Sequence, residues 1–417
     1  MITNILRLFL ARQLTPFIFN LKQRQKLDLD VKNLGLYVHI PFCRKICGFC
    51  PYYKIPYEKN LVDSFVTALK TEIELKSRYY SNRIPITGIY FGGGSPALLI
   101  NRLEEILNEI YSHFHFPIDG DRAIELHPHD VSENNLKILK DLGFNMLSVG
   151  VQSFQTHLLI NLDRSLSDNL SCLNLARKIG FSVIDVDLLF AIPGQTEKDL
   201  IKDFETAALH GATQISTYPF ISFSYTKSKY PPLKEKHKKA MIRVLLRQSR
   251  QLGWERTSIW TFAQKRSRRY SSITRENFLG FGPSAATLLK DYFSVNPFSV
   301  TGYCERLLEK TLPPVFIMDF NQRTRTLYWL FWSIYNLKID LKAYYQLFNQ
   351  DLEQMFAIEL FIAQRAGLIK KVGNSYLVSE KGAYYFHLVE QKYTHQYIDK
   401  TWRIAREKPW TKEIKLY

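Results

Sequence analysis

Three cysteines fall within eight residues, in the run Tyr37-Val-His-Ile-Pro-Phe-Cys43-Arg-Lys-Ile-Cys47-Gly-Phe-Cys50. Cysteines packed this closely are typical of a metal site, whereas secreted disulfide frameworks spread theirs along the chain. A cube of four irons held by three thiolates keeps one iron open to a small molecule, which is the coordination a catalyst needs. The competing reading is a structural zinc site of the Cys3His type with His39 as fourth ligand. Zinc ligands usually come as two C-x2-C pairs; the spacing here is C-x3-C-x2-C and His39 lies on a strand, so the cluster is preferred. Cys172 and Cys304 stand alone and read as small buried hydrophobes.

Other residues gather around the same chemistry. Gly92-Gly93-Gly94-Ser95-Pro96 follows a strand-like run, and glycines there let a ligand approach bare backbone without a Cβ in the way. Glu125, Gln152, Arg164 and Asp187 each sit at, within or just beyond a later strand-like run. A carboxylate can hold ribose hydroxyls or an amine, and an arginine can grip a carboxylate with two hydrogen bonds, so the four could clasp a zwitterionic nucleoside. The plainer alternative is ion pairing among themselves within the wall. His127 and His129 flank a proline and are read as surface residues.

The elements that must position these groups alternate. Strand-like runs at Leu36–Ile40, Gly88–Phe91, Ala123–Leu126, Met146–Val151, Val183–Phe190 and Gln214–Tyr218 are rich in β-branched and aromatic residues. Amphipathic stretches at Leu61–Arg78, Leu98–His113, Glu133–Leu142, Asp168–Ile179 and Glu197–Leu209 lie between them. This rhythm predicts an α/β fold with a partial (β/α)6 TIM-like barrel whose site lies at the C-terminal strand ends. The Pro231-Pro232 loop breaks the pattern, a strand is expected around Arg256–Phe262, and Gly280-Phe281-Gly282-Pro283 reads as a turn. Beyond residue 312 the texture becomes helical, with Leu327–Ile334 and Leu352–Gln364, a hairpin around Gly373 and a helix from Glu380. The expected domains are therefore a helical extension at 1–33, the core barrel at 34–230, barrel completion at 231–311, and a helical, winged-helix-like domain at 312–417, read as a lid.

With 417 residues, 46% hydrophobic and 23% charged, the chain is neither disordered nor fibrous. The net charge of +17 favours an anionic partner, but the basic runs Lys234–Lys239 and Lys265–Arg269 lack the interleaved aromatics of a single-strand nucleic-acid platform, so no nucleic-acid role is assigned. No run of about 18 apolar residues suggests a membrane span. Ile2, Ile5, Leu6, Phe9 and Leu10 share one helical face of a basic N-terminus, which is read as docking on the barrel; a membrane surface or an organelle presequence stays open. Cysteine usage points to a reducing, cytoplasmic setting.

On these motifs the chain resembles the radical S-adenosylmethionine (SAM) superfamily, in the branch similar to oxygen-independent coproporphyrinogen III oxidase. The cysteine run, Gly-Gly-Gly-Ser-Pro, Ser-Val-Gly-Val-Gln-Ser-Phe at 148–154 and Asp-Leu-Leu-Phe-Ala-Ile-Pro-Gly-Gln-Thr at 187–196 occur in the family's order over roughly residues 35–290. The resemblance implies a [4Fe–4S] cluster on Cys43, Cys47 and Cys50, with SAM on its open iron and a 5′-deoxyadenosyl radical as product of reductive cleavage. It places Tyr37 and Phe49 along the site, Gly93, Gly94 and Ser95 near the methionine moiety, and Glu125, Gln152, Arg164 and Asp187 around the nucleoside; Pro219 and Ala286 match weaker positions. A reducing electron-donor protein and an anionic or tetrapyrrole-like small-molecule substrate are the implied partners. After Cys50 the chain reads Pro51-Tyr52-Tyr53-Lys54, without the fourth nearby cysteine expected of the oxidase or the Asp-Phe of the related haem chaperone. That departure favours radical methyl or methylene transfer, or hydrogen abstraction, on an extended substrate. Decarboxylation of the oxidase type and haem carriage with little catalysis are the alternatives.

Overall fold

A computed structural model of the chain describes residues 7–13, 15–23, 27–81, 83–164, 166–269 and 276–417. Six strands, β1 (Leu34–Ile40), β2 (Gly88–Gly93), β3 (Asp121–Leu126), β4 (Met146–Gln152), β5 (Val183–Phe190) and β6 (Gln214–Pro219), pair in parallel, each with the next. The helices α1 (Lys59–Ser77), α2 (Leu103–His113), α3 (Glu133–Asp141), α4 (Asn169–Ile179) and α5 (Glu197–Leu209) connect them. Their starts carry the expected signals: Ser132 and Asp168 cap α3 and α4, and Thr196 with Asp199 forms a capping box on α5. The strands read as near-continuous apolar runs because helices cover the outer face and the barrel interior the other.

The sheet extends past the six units. Asn277–Phe281 (β7) pairs in parallel with β1, placing Phe281 opposite Val38. The turn expected at Gly280–Pro283 therefore starts inside a strand; a Cβ on Gly280 would lie 2.3 Å from the Ala286 carbonyl oxygen of the returning hairpin. Among the described residues the sheet has 14 strands, running on through Ala286–Leu289, Tyr292–Val295, Val315–Asp319, Phe17–Lys22 and Glu413–Leu416, all antiparallel. At its other end the strand expected around Arg256–Phe262 is two short ones, Glu255–Arg256 and Thr261–Ala263.

Of the helical extension expected at 1–33, the described residues form a single helical turn at Arg7–Ala11 and the strand Phe17–Lys22. Alternating Phe17, Phe19 and Leu21 suit a pleated surface, and Phe19 is buried in a small core with Phe298, Phe316, Ala405 and Ile414. Of the apolar N-terminal face, Ile2, Ile5 and Leu6 lie outside the described residues. The Leu10 carbonyl accepts a hydrogen bond from Arg323 at 2.6 Å. Residues 322–378 form the helix-rich, winged-helix-like part, with a three-stranded sheet ordered Lys338–Asp340, Ser375–Val378, Ile369–Val372. It has its own core around Trp329, Ile339, Tyr344 and Phe356. Helices Glu380–Tyr393 and Asp399–Glu407 then run back to the barrel. Among the described residues no helix is long and apolar enough to cross a membrane.

A buried ionic network ties α1 to the end of β7. Glu72, fully buried, accepts from Lys76 at 2.7 Å, the Gly282 amide at 2.7 Å, Asn296 at 2.9 Å and Tyr303 at 2.6 Å, while Lys76 also donates to the Gly280 carbonyl at 2.7 Å. The closeness of Gly282 to the His39 carbonyl hands this anchoring on to the last residues of β1. Glu72→Ala leaves an uncompensated buried ammonium and is expected to destabilise the protein by about 3–5 kcal/mol, read from the denaturant midpoint.

Candidate active site

The cysteine loop leaves β1 at Pro41 and returns at Ile55. Its base is closed by the parallel pair Phe42–Cys43 with Ile55–Pro56 and by the Tyr57 amide donating to the Cys43 carbonyl at 2.9 Å. The glycine run at the end of β2 grips the same base: the Gly94 amide donates to the Ile40 carbonyl and the Ser95 amide to the Phe42 carbonyl, both at 2.8 Å. A Cβ on Gly94 would lie 2.3 Å from the Phe42 carbonyl oxygen. Gly93, at φ +115, has the His39 ring and the Ile40 carbonyl oxygen at 2.8 Å from such a Cβ. These glycines are thus required by the packing of backbone on backbone, and the amides of Gly93, Gly94 and Ser95 all have partners within the protein.

Cys43, Cys47 and Cys50 are free and half-buried, whereas Cys172 and Cys304 are buried. Burial pushes the Cys43 thiol up to about 12, with the neighbouring Cys50 adding to the effect, and it raises Cys47 as well. Arg164 and Lys54 oppose these shifts: Arg164 Nη1 lies 3.8 Å from Cys47 Sγ, and Lys54 donates to the Cys50 carbonyl at 2.8 Å. A cationic iron core supplies the charge such mutually repelling thiolates need, so the donor set suits a cluster. It does not suit Cys3His zinc. Both His39 ring nitrogens are spent inside the protein, Nδ1 on the Tyr37 hydroxyl at 3.0 Å and Nε2 on the Tyr53 carbonyl at 2.9 Å and Ser284 at 3.3 Å. Among the described residues no three His, Cys, Asp or Glu side chains converge on a single ion.

Below the loop, the strands place polar groups in pairs. Tyr37 stacks on its cross-strand partner Tyr90, ring centroids 5.7 Å apart. Tyr90 donates to one oxygen of Glu125 and the Gly93 amide donates to the other at 3.0 Å. Ser148 donates to Asp187 at 2.8 Å, and Ser216 to Asp185 at 2.8 Å. Arg164 donates to the Gly150 carbonyl as well as approaching Cys47. Gln152 sits at φ +69 where the β4–β5 register shifts, which turns it out of the regular ladder. Phe49 packs on Leu158, Leu162, Leu189, Ile192 and Phe220. Ser95 is buried, its hydroxyl donating to Asp130, whose other oxygen holds Arg44 at 3.1 Å. Glu125, Arg164 and Asp187 thus share one neighbourhood with Tyr37, while Ser95 supports the loop from behind. The rim residues do not pair with one another as ions.

Tyr90, Ser148, Asp185 and Ser216 were not anticipated, although strand alternation puts Asp185 on the same face as Asp187. Tyr52 and Tyr218 also face this region. They are 53% and 37% exposed, yet burial raises both phenols, as for side chains lining a deep hollow open at one end. Burial likewise raises Glu125 and Asp187, the latter helped by Asp185, and pushes Asp185 up to about 7. The hollow is thus lined by carboxyls and phenols, with Arg164 beside them, and because burial favours their neutral forms it offers O–H donors as well as acceptors.

Two outcomes follow for this site. Gly94→Ala is expected to destabilise the fold by about 1–3 kcal/mol through overpacking and to lower the iron held per chain after reconstitution. Asp185 ionises near its ordinary value when unfolded and near 7 when folded. The stability it lends is complete below the unfolded value and is lost as pH rises through about 7. Thermal melts of Asp185→Asn should therefore show a flatter stability profile between pH 4 and 8 than wild type.

The radical SAM superfamily model matches residues 37–207. The heme chaperone HemW of Bacillus subtilis is 30% identical over 297 residues, covering 66% of this chain and 76% of that protein. The oxygen-independent coproporphyrinogen III oxidase of Salmonella typhimurium is 37% identical over 172 residues, a match that spans only 37% of that enzyme. The solved structure of Escherichia coli coproporphyrinogen III oxidase (HemN) superposes with a TM-score of 0.76 over 92% of this chain and 98% of that one, at 23% identity, and shows the shared fold. The chain belongs to the radical SAM superfamily, whose enzymes use a [4Fe–4S] cluster and S-adenosylmethionine, in the branch of the oxygen-independent coproporphyrinogen III oxidases and HemW.

Proposed function

We propose that this chain cleaves SAM reductively on a cluster held by Cys43, Cys47 and Cys50 and uses the product to abstract hydrogen from, or transfer a methyl or methylene group to, an extended small molecule. The observation that carries the reading is the placement of three free, half-buried thiols on a loop pinned over a hollow of carboxyls and phenols. When bound, the cluster and SAM supply an electron and a carbon-centred radical. The chain's own residues bind and orient. Glu125, fixed by Tyr90 and Gly93, and Asp187, fixed by Ser148, present acceptors to ribose hydroxyls or an ammonium. Arg164 is set to take a carboxylate beside Cys47, and Gln152 offers a donor and an acceptor at the same rim. Tyr37 and Phe49 wall the site.

Such a lining can pair with a substrate that brings both donors and acceptors, as pyrrole N–H groups and carboxylates do. A reducing protein would supply the electron at the exposed side of the loop. A second reading, haem carriage, draws on the similarity to a heme chaperone. Anaerobic reconstitution with iron and sulfide, followed by dithionite and SAM, separates the two. The expected result is 5′-deoxyadenosine, absent from Cys43→Ala, with S-adenosylhomocysteine alongside if a methyl group is transferred. Stoichiometric haem binding without deoxyadenosine would establish the carrier instead.

A further inference from the structure

Pro51, immediately after the third cysteine, is held from the far end of the chain. Arg406, on the helix Asp399–Glu407, donates from Nη2 to the Pro51 carbonyl at 2.7 Å across 355 residues of sequence, and the Tyr225 hydroxyl donates to the same oxygen at 3.2 Å. The guanidinium lies over the rings of Tyr225, Tyr53 and Phe298, with centroids at 4.8, 5.5 and 5.8 Å. One turn earlier, Trp402 packs on Tyr52 at 5.8 Å and on Phe223 at 6.5 Å, and Asp399 accepts from the Ser224 amide at 2.8 Å. This helix therefore closes over the Pro51–Tyr53 side of the loop.

The arginine is short of partners. Its Nε is shut off from solvent without a hydrogen bond, and among the described residues no carboxylate pairs with it. Burial disfavours its charge, and its contacts are the neutral Pro51 carbonyl and the rings of Tyr225, Tyr53 and Phe298. A half-buried guanidinium with an unpartnered Nε and no carboxylate beside it is available to a neighbouring anion. The carbonyl it clamps belongs to Pro51, the residue bonded to Cys50, so the guanidinium is held one residue from the third proposed iron ligand.

We propose that Arg406 is a positioning residue and counter-charge for the cluster: it clamps the Pro51 carbonyl behind the third cysteine and offsets the negative charge of the thiolate-bound core. The inference rests on the three-cysteine reading above. A fixed cation stabilises the more negative, reduced state, so its removal makes the cluster harder to reduce.

The test compares wild type, Arg406→Met and Arg406→Lys after anaerobic reconstitution, reading iron and sulfide per chain, the rate of cluster loss to a chelator, and the midpoint potential from redox titration followed by electron paramagnetic resonance. Arg406→Met is expected to lose its cluster about tenfold faster, in line with outer-sphere partners of metal sites, and to shift to a more negative potential. Arg406→Lys keeps the charge but not the fork, so it should lose the cluster faster while its potential stays near wild type. If Arg406→Met does not fold, the lysine variant decides alone. A potential shifted with the charge retained, or a loss rate equal to wild type, overturns the proposal. A methionine variant with wild-type potential does the same. Wild type that binds no iron and sulfide overturns the three-cysteine reading itself and this inference with it; loaded wild type indistinguishable from both variants overturns this inference alone.

Discussion

Two backbones meet where β1 and β2 end, and there is no space for a methyl group between them. Gly94 passes so close to Phe42 that only glycine fits, and the amides of Gly94 and Ser95 are consumed in holding the two chain segments together. That contact fixes the point and direction in which the cysteine loop leaves the barrel. The rest of the molecule acts on it from two sides. From outside the barrel, the Glu72–Lys76 network secures Gly280 and Gly282 against β1. Above it, the C-terminal helix holds Pro51. The loop carries little regular structure of its own, so its geometry is borrowed from contacts distant in sequence.

The electrostatics invert between surface and interior. The chain carries a net +17, but the hollow is lined by Glu125, Asp185, Asp187 and tyrosines. Cations are few there and each lies next to the loop: Arg164, Lys54 and Arg406. The positive charge that composition reports belongs mostly to solvated faces and says little about the ligand. What the interior can pair with is set instead by carboxyls and phenols that burial pushes toward their neutral forms.

The parallel core was legible because hydrophobic periodicity alternates clearly from residue 34 to 219, and the polar groups at the strand ends stand out against apolar runs. Glu125, Gln152, Arg164 and Asp187 were found in that way, and the three cysteines by spacing. Ser148, Ser216 and Tyr90 were not, because a serine or tyrosine inside a strand is an ordinary residue until its cross-strand neighbour is known. Strand β7 was hidden by Gly280, whose turn-like character reflects the hairpin backbone beside it. Phe17–Lys22 was hidden for a different reason: its partners are Val315–Asp319 and Glu413–Leu416, and no local window contains them. Arg406 is similarly silent in sequence, an ordinary basic residue in the last turn of an amphipathic helix.

The distance between Pro51 and Arg406 also has a meaning in time. A ribosome adds about 5–20 residues each second, so the cysteine loop emerges on the order of tens of seconds before the helix that will cover it. Phe17–Lys22 waits longer still for Glu413–Leu416, the last strand of the sheet. Until the helix emerges, the Pro51–Tyr53 side of the loop lacks its cover. The order of emergence therefore leaves an interval in which that side of the loop is open to small molecules, metal ions and oxygen alike.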